Sequence, residues 1–348
     1  MDFQNKSYHK GGLLKMNQNS YIGHNSQICG VEESILTRGK GKGMTLLNVR
    51  NGKGLNLTFS ADRAMDISRV EYLGFNIGYF SPCGYVAPQF YDKDGTGFLK
   101  SFTAGFLTTC GLTAVGSPCV DESEALPLHG TISNTPSENY YYTEDENEIK
   151  ISATVRDAAI FNRKLLLCRT YTISKSENLI KIDDTVKNIG GETAPCMLLY
   201  HMNMGYPLLS ENAVVNIPHT SVRARNAHAQ EDIENSLVME KPQSGYEERC
   251  YYYDVKAKNT TAAVGIFNPD IERGLVISFD KTTLDRFTQW KMMGDGEYVL
   301  GLEPGNCTPD GRDINRRDGI LKFIDPNEEY KTHLEIKFTQ NTEDIQCL

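Results

Sequence analysis

Apolar and polar residues alternate with a period of two through much of this chain, in runs too short for helices. Leu55-Asn-Leu-Thr-Phe59 and Glu148-Ile-Lys-Ile-Ser-Ala-Thr-Val155 have the pattern of strands with one face in a core and the other in water. The run 44–50 ends on Asn51-Gly52, a tight hairpin signal, so it is expected to pair with 55–59. Residues 67–72 and 75–80 form a second pair across Leu73-Gly74. Further strands are predicted over 164–173, 178–186, 195–200, 213–217, 248–256, 261–267, 274–279, 298–302 and 330–339. Strands in such succession, separated by turn residues, predict an antiparallel sandwich or barrel. Only 285–293 and 226–237 read as helical. Residues 81–127 break the rhythm with Gly, Pro and Thr; a loop of that length is functional or carries short elements of its own, and 102–110 reads as a buried strand within it. The charge-alternating run 310–318 reads as a solvated loop without the ligand spacing of a calcium loop. Residues 1–33 read as an N-terminal extension of undetermined structure. With no repeat or linker beyond them, 34–348 reads as one all-β domain.

Composition narrows the partners. The chain has 348 residues, 39% hydrophobic and 23% charged, with a net charge of −9. That charge speaks against non-specific nucleic-acid binding and suits a small neutral or polar ligand. No stretch reaches the roughly 20 apolar residues of a membrane span, and the N-terminal residues lack the apolar core of a signal peptide. The nine cysteines are odd in number and contain no Cys-x-x-Cys pair, which points to a reducing compartment. A cytoplasmic protein is therefore expected, with no membrane or nucleic-acid partner. Self-association into a homo-oligomer stays open.

Three separated motifs share one chemistry. Pro127-Leu-His-Gly130, Tyr200-His-Met-Asn-Met-Gly-Tyr-Pro207 and Gly301-Leu-Glu-Pro-Gly-Asn306 each set one titratable side chain at the end of an apolar run, beside Gly or Pro. Histidine exchanges protons near neutrality, and a buried glutamate acquires a raised pKa and base character. His201 and Glu303 thus form a candidate acid/base pair, with His129 as a binding group. The plain alternatives are a turn histidine at 129, a core histidine at 201 and a solvated strand-end glutamate at 303. In Asp62-Arg-Ala-Met-Asp66, Arg63 is either part of an ion-pair turn or a sugar contact.

At these residues the chain resembles the aldose 1-epimerase (galactose mutarotase-like) superfamily, and more closely its uncharacterised DUF4432 branch. The matching stretches are Gly52-Lys-Gly-Leu-Asn-Leu-Thr-Phe, Asp62-Arg-Ala-Met-Asp-Ile, Leu107-Thr-Thr-Cys-Gly-Leu, Leu128-His-Gly-Thr-Ile-Ser-Asn-Thr-Pro, Leu199-Tyr-His-Met-Asn-Met-Gly-Tyr-Pro-Leu-Leu and Gly301-Leu-Glu-Pro-Gly-Asn. The resemblance implies a large antiparallel β-supersandwich with a sugar cleft on a concave sheet and no cofactor or metal. By motif it makes His201 the acid toward the ring oxygen and Glu303 the base toward the anomeric hydroxyl. His129 becomes a sugar-binding histidine. Asn203 and Tyr206 join it as binding candidates, and Arg63 is the candidate replacement for an Arg pair that those enzymes carry before Leu-His-Gly. Two other readings remain: a non-catalytic sugar-binding protein, and a metal-dependent isomerase or lyase in which the two His and the Glu hold zinc.

Overall fold

The computed structural model describes residues 20–348. The extension predicted over 1–33 falls largely outside the described residues; within 20–33 lie a single turn at Asn25–Gln27 and the start of the strand Gly30–Ile35. The first strand thus starts at Gly30, four residues before position 34.

Three antiparallel sheets make the body. A five-stranded meander runs through Gly30–Ile35, Thr45–Arg50, Leu55–Ser60, Asp66–Tyr72 and Phe75–Asn76. The Asn51-Gly52 turn closes as its sequence predicts, because the Asn51 side-chain oxygen accepts from the amides of Lys53 and Leu55. A nine-stranded sheet is built on the long strands Glu148–Ala158, Lys164–Ser174, Leu179–Asn188 and Glu329–Thr339. Their residues alternate between buried and accessible, so one face meets the core and the other solvent. A seven-stranded sheet carries, in spatial order, His219–Ala224, Arg249–Val255, Arg286–Gly294, Glu297–Gly305, Ala194–Met204 and Lys322–Ile324, with Leu107–Leu112 also paired to Ala194–Met204. One apolar cluster joins all three sheets. This is the antiparallel all-β supersandwich that the family resemblance implies, and it agrees with the antiparallel sandwich or barrel expected from the strand rhythm.

The central strands of the seven-stranded sheet differ from the rest. Ala194–Met204 and Glu297–Gly305 are buried on both faces almost throughout. The core covers one face; residues of the 81–130 segment lie over the other. That segment holds its own short strands, Leu107–Leu112, Cys119–Asp121 and Glu124–Leu126. The strand expected at 102–110 starts five residues later and ends two later, at Leu107–Leu112.

Two sequence readings are corrected. Residues 285–293, read as helical, form the strand Arg286–Gly294. Its inward Gln289 and Lys291 hid the period of two, yet both are satisfied. Gln289 accepts from the Tyr253 hydroxyl at 2.9 Å, and Lys291 Nζ lies 3.6 Å from Glu240 and 3.9 Å from Asp232. The stretch 310–318, read as a solvated loop, contains the helix Arg312–Arg317, whose Arg312 is buried against Asp121 at 2.6 Å and Glu124 at 2.7 Å. The second helical reading, 226–237, is met by the short helix Ala227–Gln230 and a turn at Ile233–Asn235.

Behind the central strands lies a buried ionic knot. Arg169 donates to both oxygens of Asp184 at 2.9 and 2.7 Å and to Asp66 at 2.8 Å. The Tyr200 hydroxyl donates to Asp184 at 2.6 Å, and Thr109 donates to Asp66 through its amide and hydroxyl. Fully buried charges survive only when paired and hydrogen-bonded in this way. The knot ties a strand from each of the three sheets to Tyr200, the residue next to His201.

Candidate active site

His201 and Glu303 occupy neighbouring strands. The ladder pairs Leu199 with Gly305 and Met202 with Leu302, so the same register sets His201 opposite Glu303. Glu303 in turn faces Thr288 on the next strand. His201 Nε2 lies 3.3 Å from Glu303 Oε1. The contact is close enough for an ion pair, but its angles do not make a hydrogen bond, and Glu303 Oε1 has no other partner. Both side chains are buried.

His129 reaches the same place from the covering segment. It adopts a left-handed φ of 58°, followed by Gly130 at 75°. Glycine is required at 130, because a Cβ there would stand 2.2 Å from the Gly111 carbonyl oxygen. The His129 amide donates to Gly116 O at 2.9 Å, and its Nδ1 accepts from the Gly116 amide at 3.4 Å. That contact assigns the proton to Nε2, which makes Nε2 a donor. The His129 and His201 rings lie 5.4 Å apart.

The three residues line one cavity of about 300 Å³, together with Phe98, Phe102, Arg225, Glu248, Cys250, Thr288 and Trp290. Phe102 and Trp290 pack edge-on against His201 at 5.4 and 5.3 Å, and Phe98 packs on His129 at 5.3 Å. Burial behind this aromatic wall sets the direction of each pKa shift. Burial pushes His201 down to about 4, while the Asn203 side chain beside it pulls the other way. Burial also holds His129 well below its ordinary value, helped by the nearby His201 and Arg225. Glu303 is driven well above the usual carboxylate range, first by burial and then by the Glu248 carboxylate, against the pull of Arg225. All three shifts disfavour charge: imidazolium on the two histidines and carboxylate on Glu303.

The other sequence candidates lie elsewhere. Asn203 is fully buried behind His201, donating to the His201 carbonyl at 2.9 Å. It sits two residues along the strand from His201 and so on the same face, but it is not part of the cavity wall. Tyr206 is 72% exposed and outside the wall. Arg63 is also outside it: its guanidinium donates to the carbonyls of Val86 and Ser101 at 3.0 and 2.8 Å, and burial lowers its pKa to about 10. Arg63 thus clamps the covering segment. The ion pair expected within 62–66 is absent, since Asp66 pairs with Arg169 instead.

Sequence reasoning missed Arg225 and Glu248. Arg225 donates to Ser117 Oγ at 2.7 Å and Pro309 O at 3.2 Å. Glu248 accepts from the Trp290 indole at 2.6 Å. Neither sits in a Gly- or Pro-marked motif. The one signal for Glu248 was polarity at the start of the run 248–256, which an edge strand shows equally well, and Arg225 had none. Among the described residues no group of three or more His, Cys, Asp or Glu is spaced as metal ligands would be.

The model of the domain of unknown function DUF4432 matches residues 41–338. The chain belongs to the DUF4432 family. No curated protein matches it, but solved structures share its fold. A Klebsiella pneumoniae protein provisionally named an aldose 1-epimerase superposes with a TM-score of 0.86 at 24% identity, covering 91% of this chain and 85% of its own. A galactose mutarotase-like protein from Clostridium acetobutylicum gives 0.67 at 13% identity, covering 90% and 99%. Galactose 1-epimerase from Lactobacillus acidophilus gives 0.60 at 11% identity, covering 89% and 98%. The DUF4432 chain thus has the galactose mutarotase-like fold. No helix among its described residues is long and apolar enough to cross a membrane.

Proposed function

We propose that this protein is an aldose 1-epimerase-type isomerase, interconverting sugar anomers by proton transfer between Glu303, His201 and the substrate. The observation that carries this is the 3.3 Å approach of His201 Nε2 to Glu303 Oε1 inside a cavity walled by aromatic rings. The ring oxygen and the anomeric hydroxyl hang from one carbon, so acid and base must lie close together, as these two do. The pair shares one proton. Sugar hydroxyls entering the cavity supply hydrogen bonds that favour the charged arrangement, imidazolium and carboxylate. Imidazolium then protonates the ring oxygen while carboxylate takes the anomeric proton. The ring opens, the aldehyde carbon rotates, and closure returns both protons. Positioned acid/base groups of this kind contribute about 10²–10⁴-fold. His129 supplies an N–H donor to a hydroxyl oxygen, and Asn203, two residues from His201 on the same face, steadies the imidazolium.

The test is anomer exchange followed by NMR for a panel of freshly dissolved aldoses, with the native protein and with Glu303→Gln. Acceleration by the native protein and its loss in Glu303→Gln is the expected result. Sugars that bind without faster exchange would leave a sugar-binding protein; exchange surviving in Glu303→Gln would remove Glu303 from the reaction.

A further inference from the structure

A second cavity, of about 340 Å³, adjoins the first. The two share a wall: Leu99, Phe102, Glu248 and Trp290 line both. Beyond that wall the second cavity is formed by Tyr79, Ser81, Cys83, Met292, Glu297 and Val299 among others. Neither His201, Glu303 nor His129 reaches it, so the acid/base chemistry leaves it unused. Each cavity stands at the lower end of the roughly 300–1,000 Å³ typical of small-molecule sites, which suits one ring apiece.

The chemistry of the second cavity is selective. The rings of Tyr79, Phe102 and Trp290 and the side chains of Leu99, Met292 and Val299 give it an apolar body. Trp290 is fixed there because its indole donates to Glu248 Oε2 at 2.6 Å. Leu99 is 56% exposed at the rim of both cavities. Two polar groups lack partners among the described residues, the Tyr79 hydroxyl and the second oxygen of Glu248, and both suit sugar hydroxyls. The charged lining is Glu248 and Glu297, with no Lys or Arg. A phosphate or carboxylate there would meet like charge without a counter-ion.

We propose that the natural substrate is an uncharged reducing disaccharide, its reducing ring beside His201 and Glu303 and its second ring in the adjoining cavity. This rests on the anomer-exchange reading of the first cavity. That reaction requires a free anomeric hydroxyl, so the second ring is joined through another hydroxyl of the first. Trp290 lies between the two rings, and Glu248 holds it in place.

The experiment compares glucose and galactose with maltose, cellobiose and lactose on two readouts. Binding is measured by calorimetry on Glu303→Gln, and anomer exchange by NMR on the native protein. Met292→Trp fills the second cavity from a half-buried position, and Tyr79→Phe removes one hydroxyl with little change of volume. At least one disaccharide is expected to exceed its component monosaccharide by 10-fold or more in affinity and in kcat/KM. Met292→Trp should remove that advantage and leave monosaccharides unchanged. Tyr79→Phe should cut it by roughly 3- to 10-fold, the worth of one hydrogen bond. Monosaccharides that turn over with no disaccharide advantage would overturn the subsite and leave the epimerase reading intact. An advantage unaffected by both variants would overturn it equally. A disaccharide that binds through Tyr79 and Met292 without faster exchange would uphold the subsite and remove the catalytic reading. Failure of every sugar to bind would overturn both.

Discussion

Gly301 controls where the Glu303 carboxylate can sit. It lies two residues before Glu303 on the same strand face and pairs with Trp290 across the sheet. A Cβ built at 301 would stand 2.2 Å from Glu303 Oε1 and 3.0 Å from Trp290 Cβ. Real Cβ atoms essentially never come within 3.0 Å of another heavy atom, so in Gly301→Ala the carboxylate must retreat from 2.2 Å to at least that distance. Gly301 is not among the glycines with positive φ, so alanine meets no backbone strain. Gly→Ala at a compatible position gains about 0.4–1 kcal/mol through the unfolded state, which the pressure on Trp290 opposes. The variant should therefore fold, with a melting temperature close to the native one. A displacement of about 1 Å at a reacting group costs on the order of 10²-fold in rate, or about 2.7 kcal/mol of barrier. The assay is NMR anomer exchange on the best sugar of the panel, with kcat and KM separated. The loss should fall mainly on kcat, because the carboxylate must move by about 1 Å while Trp290 Cβ, already at 3.0 Å, need shift only slightly. A folded Gly301→Ala with kcat within about threefold of native would refute the role given to this carboxylate's position.

Two further predictions concern the same frame. The active pair carries one proton. Activity should fall on the acid side as His201 takes a second proton near its depressed value of about 4, and on the alkaline side only above the raised pKa of Glu303. Glu248→Gln keeps an acceptor for the Trp290 indole but removes a charge that raises Glu303, so the alkaline limb of kcat/KM should move to lower pH; an unmoved or higher limb would contradict this. Arg169→Met strands two buried carboxylates and should cost about 3–5 kcal/mol, read as a lower urea midpoint. An unchanged midpoint would mean that the knot behind Tyr200 contributes nothing to stability.

The fold was readable where strands meet core on one side and water on the other. Glu148–Ala158 and Lys164–Ser174 alternate cleanly and appear within a few residues of their predicted ends. Reading failed where a strand is covered on both faces. In Arg286–Gly294 one face carries Phe287, Gln289 and Lys291 into the body, and the other carries Thr288 and Trp290 to the cavity. Polar residues on an inward face, satisfied by distant partners such as Tyr253 and Asp232, cannot be told from a helical stripe without those partners in view. Arg312 failed for the same reason: its burial depends on Asp121 and Glu124, about 190 residues away in sequence.

The same property that obscured those strands exposed the site. A doubly covered strand should be apolar throughout, so His201 and Glu303 stood out because nothing in their own segments accounts for them. Arg63 also stood out, in a turn, yet its guanidinium is answered by the carbonyls of Val86 and Ser101. Asn203 is only half answered: its amide nitrogen donates to the His201 carbonyl, but its Oδ1 is buried without a partner. His201 Nδ1 and Glu303 Oε1 are buried and unpartnered, and burying polar atoms that way costs free energy which folding alone does not recover. A ligand presenting both donors and acceptors can recover it, and a sugar hydroxyl is both. Under the epimerase proposal, a polyhydroxylated partner would supply the missing hydrogen bond at Glu303 Oε1. Arg63, from a separate motif, clamps the covering segment in place.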